Sequence, residues 1–572
     1  MKKGVSLFLL VCLLLGMSVA AAQGYTPGVY EGIGYGMGGE LRVSVTLSET
    51  AITDVTIVSH AESPLISENA LERIPADIVA HQTLSVDTVS GSTVSSGAVL
   101  TAVRAALTAA GVPDTEFTAP APAGEKAADE TIDTDVLVVG GGLSGMSAAY
   151  MTSTSGLKTV LIEKLEAWGG ASAFSGGAVT YATPEGDPVG HFSEEAFYQW
   201  FVNMGHGKIN DALVKRIAYN SADTVAWMRN EIGYNPAYEM TETFVDGTVA
   251  RITNPGSPTE YVTGCGAAMM KIFYEKVSPL ENLTMMNRTR ATQLITDETG
   301  AVVGAVAQRA DGSRLTINAK AVVLATGGWI TGEAYMDRWA PGMKKAYNMG
   351  NVGCEGDGIG LCEEIGAKIT YDTDAFIGGV SVPAAAAPAS SILVNARGER
   401  IVAEDLASCF MMAEMMRDDT GVFYYIVDEK QAASAYEGNS AVVKCDTLEE
   451  LAATLGMDAS VLTATVARYN SMAGKKDEDF GKSEALMIAL DEAPYYAVGV
   501  TNFILTAYAG PDVTENCEVL STSGETIPGL YAVGELIATN IYGYDDGGHG
   551  ATLQYCMTTG RIACESIREY LQ

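Results

Sequence analysis

The segment Asp135-Val-Leu-Val-Val-Gly140-Gly-Gly142-Leu-Ser144-Gly145-Met-Ser-Ala-Ala149 constrains this chain more than any other. A buried-type apolar run passes without a break into Gly140-x-Gly142-x-x-Gly145 and then into small residues suited to starting a helix. Glycines at these positions permit a tight turn and bring backbone N–H groups close to a pyrophosphate, which then sits on the helix N-terminus. The next apolar run, Thr159-Val-Leu-Ile162, ends in Glu163, eighteen residues past Gly145, where a carboxylate can accept hydrogen bonds from an adenosine ribose. A glycine turn in an unrelated α/β protein would account for the first half of this pattern but not for the acidic strand end. A Rossmann-like α/β fold is expected here.

Three further segments extend the pattern. Glu163-Lys164 is followed by Gly169-Gly170-Ala171-Ser172-Ala-Phe-Ser175-Gly176-Gly177, a Gly/Ser loop suited to laying backbone against a larger ligand. Ala321-Val-Val-Leu-Ala-Thr326-Gly327-Gly328 and Ile527-Pro-Gly-Leu-Tyr-Ala-Val-Gly534-Glu535 each give a strand ending in glycine. In this order the four segments resemble the FAD-dependent fumarate reductase/succinate dehydrogenase flavoprotein family, particularly its soluble secreted branch of fumarate and urocanate reductases, from Thr131 to Gln572. The resemblance implies non-covalent FAD, held by Gly140, Gly142, Ser144, Gly145, Glu163, Ala171, Ser172, Gly176, Gly177, Ala291, Thr326, Gly327, Gly328, Asp357 of Gly356-Asp-Gly358, Glu535, Gly550, and Thr552-Leu553 at the start of the final helix. It also implies a capping domain inserted before the last strand, so that substrate lies between flavin and cap, away from water. The FAD-binding domain is then expected at 131–368 and 498–572, and the capping domain at 369–497.

At 572 residues the chain exceeds one ordinary domain. A hydrophobic share of 47% with 18% charged residues excludes disorder of the whole. Lys+Arg 35 against Asp+Glu 70 gives −35, a field that repels nucleic acid and anionic lipid. The nine cysteines form no CxxC pair and no CxxCH, which argues against zinc ribbons, a thioredoxin-type site and attached c-type haem, and no metal is expected. Lys2-Lys3, an apolar run from Val5 to Val19, and Ala20-Ala21-Ala22 have the layout of a secretory signal. Residues 1–22 are expected to be cleaved and the mature protein to work outside the cytoplasmic membrane, at the cell surface or in the periplasm.

From 23 to 112, the alternating runs Leu41–Leu47 and Ile52–Val58 and an apolar helical pattern from Val99 to Ala110 predict a small α+β module. Asp87-Thr-Val-Ser-Gly-Ser-Thr93 by itself reads as a polar turn capping that helix through Ser95 or Ser96. Together with Tyr30-Glu-Gly-Ile-Gly-Tyr-Gly-Met-Gly-Gly39 it resembles the FMN-binding domain family of sodium-pumping and Rnf-type redox complexes, whose Asp-x-x-Ser/Thr-Gly-Ala-Thr motif carries FMN as a phosphoester on its last hydroxyl. The resemblance implies covalent FMN on Thr93, attached by a flavin transferase, with Ser92 standing where the family has Ala. Residues 113–130 are rich in Pro, Ala and acidic residues and lack periodicity, as a linker does.

Reduced flavin gives hydride to one carbon of an activated double bond, and a side chain must protonate its neighbour. In the fumarate reductase branch that acid is the second Arg of an Asn-x-x-Gly-x-Arg-Phe loop in the cap. Asn395-Ala-Arg-Gly398-Glu-Arg400-Ile401 matches it with Ile401 for Phe, making Arg400 the candidate donor; the other reading has Arg400 orienting the cap through salt bridges to Glu404 or Asp405. The departures are equally informative. The family's Gln-x-His-Pro-Thr is Ile377-Gly-Gly-Val-Ser381, its charged relay is the uncharged Ala384–Ser391 stretch, its His before Thr-x-Gly-Gly is Leu505, and its Asn-Arg-x-Gly-Gly clamp is Tyr544-Asp-Asp-Gly-Gly548. A small dicarboxylate needs paired cations for tight recognition, so fumarate itself is not expected. The ending Gly548-His549-Gly550-Ala-Thr552 more closely resembles flavin 3-ketosteroid dehydrogenases, and Tyr508, Tyr542, Tyr544 and His549 are candidates to polarise a carbonyl or phenol, or alternatively to pack around the flavin. The expected function is an exported reductase moving electrons from a membrane-associated donor through FMN and FAD to the C=C bond of an α,β-unsaturated acid or enone. The alternatives are a ketosteroid dehydrogenase or Δ-reductase, and an extracellular electron-transfer flavoprotein without a small substrate.

Overall fold

Alternating sequence opens the N-terminal module. Strands β1 (Gly28–Gly36), β2 (Gly39–Leu47) and β3 (Ile52–Ser59) form an antiparallel sheet in that order. Leu41, Val43, Val45 and Leu47 point to one face, where they share a core with helices α1 (Glu68–His81) and α2 (Thr93–Ala109). The glycines of the Tyr30–Gly39 run have a packing reason. A Cβ on Gly32 would lie 1.9 Å from the Ala102 carbonyl oxygen, and one on Gly34 2.0 Å from that of Ala98, because α2 rests directly on β1.

The computed structural model describes residues 24–572 except 123, 184, 186–190, 206, 237, 244–248, 255–264, 382–388, 407, 433–435, 437, 440–441 and 543–549. The expected signal segment lies outside the described residues. Among those described, no helix is long and apolar enough to cross a membrane. The chain divides into two compact units meeting at Gly124 and Glu125. That boundary lies inside the segment expected as a linker, 113–130. Its first half folds onto the N-terminal module, with Phe117 only 3% exposed, Leu84 N donating to Phe117 O at 2.8 Å and Ala121 N to Ser85 O at 3.1 Å. One aromatic residue in a Pro/Ala/acidic run is enough to anchor it.

The second unit is built on strands β4 (Glu130–Val139), β5 (Thr159–Ile162), β6 (Leu283–Met286), β7 (Thr289–Thr296), β8 (Val302–Arg309) and β9 (Arg314–Leu324), in the order β7-β8-β9-β4-β5-β6. β9, β4, β5 and β6 run parallel, and strand Thr526–Ala532 joins the end of β9, also parallel. Val136–Val138 and Val322–Leu324 are fully buried, as a parallel sheet covered on both faces requires. Helix α3 (Leu143–Thr154) packs against the last helix, Ala551–Tyr570, so closely that a Cβ on Gly560 would lie 2.7 Å from Ser144 O.

A second sheet forms the cap from β10 (Ile369–Ser381), β11 (Ile392–Asn395), β12 (Phe423–Asp428), β13 (Val442–Cys445) and β14 (Tyr495–Pro511). Helices Leu448–Leu455 and Ala459–Ser471 cover it with a core that includes Ile392, Ile426, Leu462 and Val466. The expected junction between residues 497 and 498 falls within β14. This strand pairs with β12 and β13 through its first half and with β10 through its second, Ile369 facing Pro511 and Ser381 facing Thr501.

Candidate FAD site and its relatives

β4 delivers Gly140 to the rim of a cleft of about 740 Å³. The three fingerprint glycines have different tasks. At Gly140 (φ +114°) a Cβ would meet Ala325 O at 2.2 Å, and at Gly145 it would meet Gly140 O at 1.8 Å, so the turn itself needs both. At Gly142 a Cβ would touch only Gly169 O, at 3.9 Å, leaving open space beside the first turn of α3. No side chain caps that helix end, so its N–H groups face the cleft as an anion site. Thr326 Oγ1, buried beside the Gly140 turn, has no hydrogen-bond partner within the protein. A pyrophosphate and its attached sugars fit this donor set.

Two buried carboxylates mark the cleft. Glu163 accepts from Gly141 N and Leu165 N, each at 2.8 Å, and Glu535 accepts from the Thr506 hydroxyl. Burial pushes both above the ordinary glutamate range. Gly328 is tied to this second group, since a Cβ there would lie 2.4 Å from Glu535 Oε1. At the rim, Asp357 pairs with Lys164 at 2.7 Å and with Arg290, while Glu355 pairs with the same cations at 2.7 and 3.2 Å.

The cleft gathers Gly140, Gly142, Ser144, Glu163, Ala171, Ser172, Ala291, Thr326, Gly327, Asp357 and Glu535 from the sequence expectation. Gly145, Gly176, Gly177, Gly328, Gly550, Thr552 and Leu553 are not among its lining residues. Gly550 instead precedes the last helix at φ +98°, where a Cβ would strike the Ala178 backbone, and Thr552 shares a 3.0 Å hydrogen bond with Tyr542. Lining residues that sequence reasoning missed include Lys164, Arg290, Asn351, Gly353, Cys354 and Cys556. The glycine-rich run Met349-Gly-Asn-Val-Gly353, just ahead of Gly356-Asp-Gly358, was a readable signal for Asn351 and Gly353; nothing marked Cys556. Burial pushes both thiols up, away from reactivity.

The candidate proton donors separate in space. Tyr508, 1% exposed on β14, stacks obliquely on Tyr542 at 5.5 Å, and Tyr542 meets Tyr555 at 5.4 Å, so an aromatic cluster adjoins the start of the last helix. Tyr544 and His549 lie outside the described residues. Arg400 does not line the cleft. It sits inside the cap, forked onto Glu404 at 2.9 and 2.8 Å, paired with Asp477 at 2.9 Å, and flanked by the rings of Tyr469 and Phe480 at 5.1 and 5.0 Å. Burial opposes its charge, yet Glu404 and Asp477 hold its pKa above the ordinary range. Lys482 completes the cluster, 3.1 Å from Glu404, with its own pKa lowered by burial. Nε and Nη2 of Arg400 are thus engaged by Glu404 and Nη1 faces Asp477, the arrangement of the salt-bridging alternative.

In the N-terminal module Thr93 opens α2, six residues ahead of the expected start, and its side chain is exposed. The early start follows from internal partners for polar residues: Ser95 donates to Glu62, and Ser96 to Ser92 O at 2.9 Å. Ser92 Oγ is buried without a partner beside this helix end. An accessible hydroxyl on the first turn of a 17-residue helix is well placed to carry a phosphate.

The fold and cleft define an FAD-dependent oxidoreductase with an added flavin module. Residues 135–552 match the FAD binding domain family, to which the chain belongs, and residues 36–108 match the FMN-binding domain; its cofactors are FAD and FMN. The NADH:acrylate oxidoreductase of Vibrio harveyi is 29% identical over 95% of this chain, which spans 61% of that protein's length. The urocanate reductase of Eggerthella lenta is 29% identical over 91% of this chain and 89% of its own. Among solved structures, the open conformation of a flavocytochrome c3 fumarate reductase superposes with a TM-score of 0.61 at 25% identity, covering 78% of this chain and 79% of the other.

Proposed function

We propose that this protein is an exported alkene reductase that takes electrons from a membrane-associated donor and reduces the C=C bond of an α,β-unsaturated acid or enone. The observation that carries this reading is the path of β14, which holds Glu535 of the FAD cleft through Thr506 and continues without interruption into the cap. A pure electron carrier gains nothing from a cap built onto its flavin site. The relatives that reduce acrylate and urocanate support the same chemistry.

When bound, FMN relays electrons and reduced FAD supplies hydride to one alkene carbon, so that two electrons and two protons convert the C=C bond to CH–CH. The chain's residues provide the rest. Thr93 is the proposed attachment point, its phosphoester resting on the α2 N-terminus, with a flavin transferase required to form it. Glu163 and the first turn of α3 hold the adenosine and pyrophosphate, and the cap excludes water. Tyr508, on the same face of β14 as Thr506, is the described side chain we assign to protonate the second carbon. Anaerobically reduced holoprotein should be reoxidised by members of a panel of enoates, urocanate, cinnamates and enones. Reoxidation by none of them would leave the carrier reading in its place.

A further inference from the structure

Where the FAD cleft meets solvent beside Glu163, its two walls come from different parts of the chain. One wall joins the residues that follow β5 to the start of β7, with Thr289 N donating to Glu163 O at 2.8 Å and Arg288 N to Leu165 O at 3.1 Å. The other is the segment from Asn351 to Asp357, in which Gly356 N donates to Gly328 O at 3.1 Å and Cys354 O accepts from Thr331 N at 3.0 Å. Each wall is thus anchored on its own side by backbone hydrogen bonds.

Side chains join the two walls. Lys164 reaches Glu355 and Asp357, each at 2.7 Å, and Arg290 reaches Asp357 and, at 3.2 Å, Glu355. Leu165 packs on Gly353, where a Cβ would lie 3.1 Å from Leu165 Cδ1. The four charged side chains are graded in exposure, from 14% and 15% at Lys164 and Asp357 to 39% and 49% at Glu355 and Arg290. Lys164, Arg290 and Asp357 line the cleft, whereas Glu355 is not among its lining residues. The cluster therefore runs from the lining out to solvent, at the end where Glu163 takes the adenosine. Its two cations and two carboxylates sum to no net charge, so it is built to hold the walls together rather than to attract a pyrophosphate. Half-exposed ion pairs are weak and screened by salt, so these contacts open before the backbone anchors do.

We propose that these ion pairs form a strap across the adenosine end of the cleft, and that FAD enters and leaves through that end when the strap opens. Glu355 serves the strap alone, since it holds both cations without lining the cleft. The strap governs cofactor exchange and is indifferent to which alkene the enzyme reduces.

Exchange of radiolabelled FAD on the two-flavin protein tests this without turnover. Release is followed during a chase with unlabelled FAD, and uptake on protein stripped of its non-covalent flavin. Because the strap must break for passage in either direction, Glu355→Gln should speed both release and uptake by about 3–10-fold and leave the Kd within a few-fold of the native value. Raising salt from about 0.02 to 0.5 M should speed release from the native protein and have a smaller effect on Glu355→Gln. Unchanged release and uptake in the variant would overturn the strap and place the exit elsewhere on the cleft, whether or not its Tm falls. Release from the native protein that ignores salt would overturn it too. Faster uptake with slower release would do the same, since Lys164 and Arg290, once freed, would then be acting as cations that attract the pyrophosphate.

Discussion

The buried carboxylates of the cleft and Asp477 of the cap respond to pH with opposite signs. Burial raises Glu535 above the ordinary value near 4.5. Between that value and the raised one the folded state binds more protons than the unfolded state, so its contribution to stability falls as pH rises through the window. In FAD-free protein, Glu535→Gln should raise the Tm over wild type by a margin that opens above pH 4.5 and closes below it; a margin constant with pH would exclude the buried charge as its cause. Asp477 behaves in the reverse manner. Burial works upward there, but the Asp479 N–H and Arg400 hold its carboxyl below the ordinary range, so its stabilisation is lost as pH falls. Arg400→Ala would strand Asp477 in the cap and leave Glu404 with Lys482 alone, at a cost of about 3–5 kcal/mol, visible as a lowered Tm. Tyr508→Phe should keep fold and flavins yet slow substrate-dependent reoxidation by about 10²–10⁴-fold. The reverse pattern, a stable but slow Arg400→Lys beside an unaffected Tyr508→Phe, would return the proton to Arg400. The loop around Arg400 was legible as a motif, and Glu404 as a neighbour. Asp477 and Lys482 were not, because they arrive from a distant loop that local spacing cannot connect to it.

Among elements, the βαβ unit was the most legible because its glycine spacing is dictated by a turn and a ligand together. The start of α2 was hidden, since Ser95 and Ser96 read as capping residues until Glu62 and Ser92 O are seen to satisfy them. β14 was hidden as well. Gly499 and Gly510 interrupt its pattern, and at Gly510 a Cβ would lie 1.7 Å from Leu536 O, so that glycine reports close packing rather than a strand end. The contact of β1 with α2 yields an element-level prediction. Gly34→Ala must push α2 off the strand, because the atom it meets at 2.0 Å is backbone and cannot rotate away. The module should lose about 1–3 kcal/mol or more, measured by denaturant unfolding, and its FMN loading should fall with it. Thr93→Ala should leave the fold intact and remove one FMN mass from the denatured protein; equal masses for variant and wild type would place the flavin elsewhere.

For the whole molecule, a net charge of −35 sets the terms on which electrons arrive. A cationic donor such as reduced methyl viologen should reduce the protein faster at low salt than at high salt, with the trend reversed for an anionic donor, because fields fade over about 10 Å at 0.1 M salt. Stopped-flow reduction across a salt series reads this directly, and salt-independent rates for both donors would confine the effect to local charges. The two-unit organisation was legible from length and the flavin motifs, whereas the end of the first unit depended on where a single phenylalanine packs. The strand pair β10–β14 also bears on how such a chain can change over time. The cap leaves the FAD core and returns to it on neighbouring antiparallel strands, where facing Cα atoms are roughly 5 Å apart. A segment whose two ends lie that close can be exchanged for another of different length without opening the core or stretching a loop. The cap of this protein thus has the geometry of an insertion whose two ends adjoin on one pair of strands.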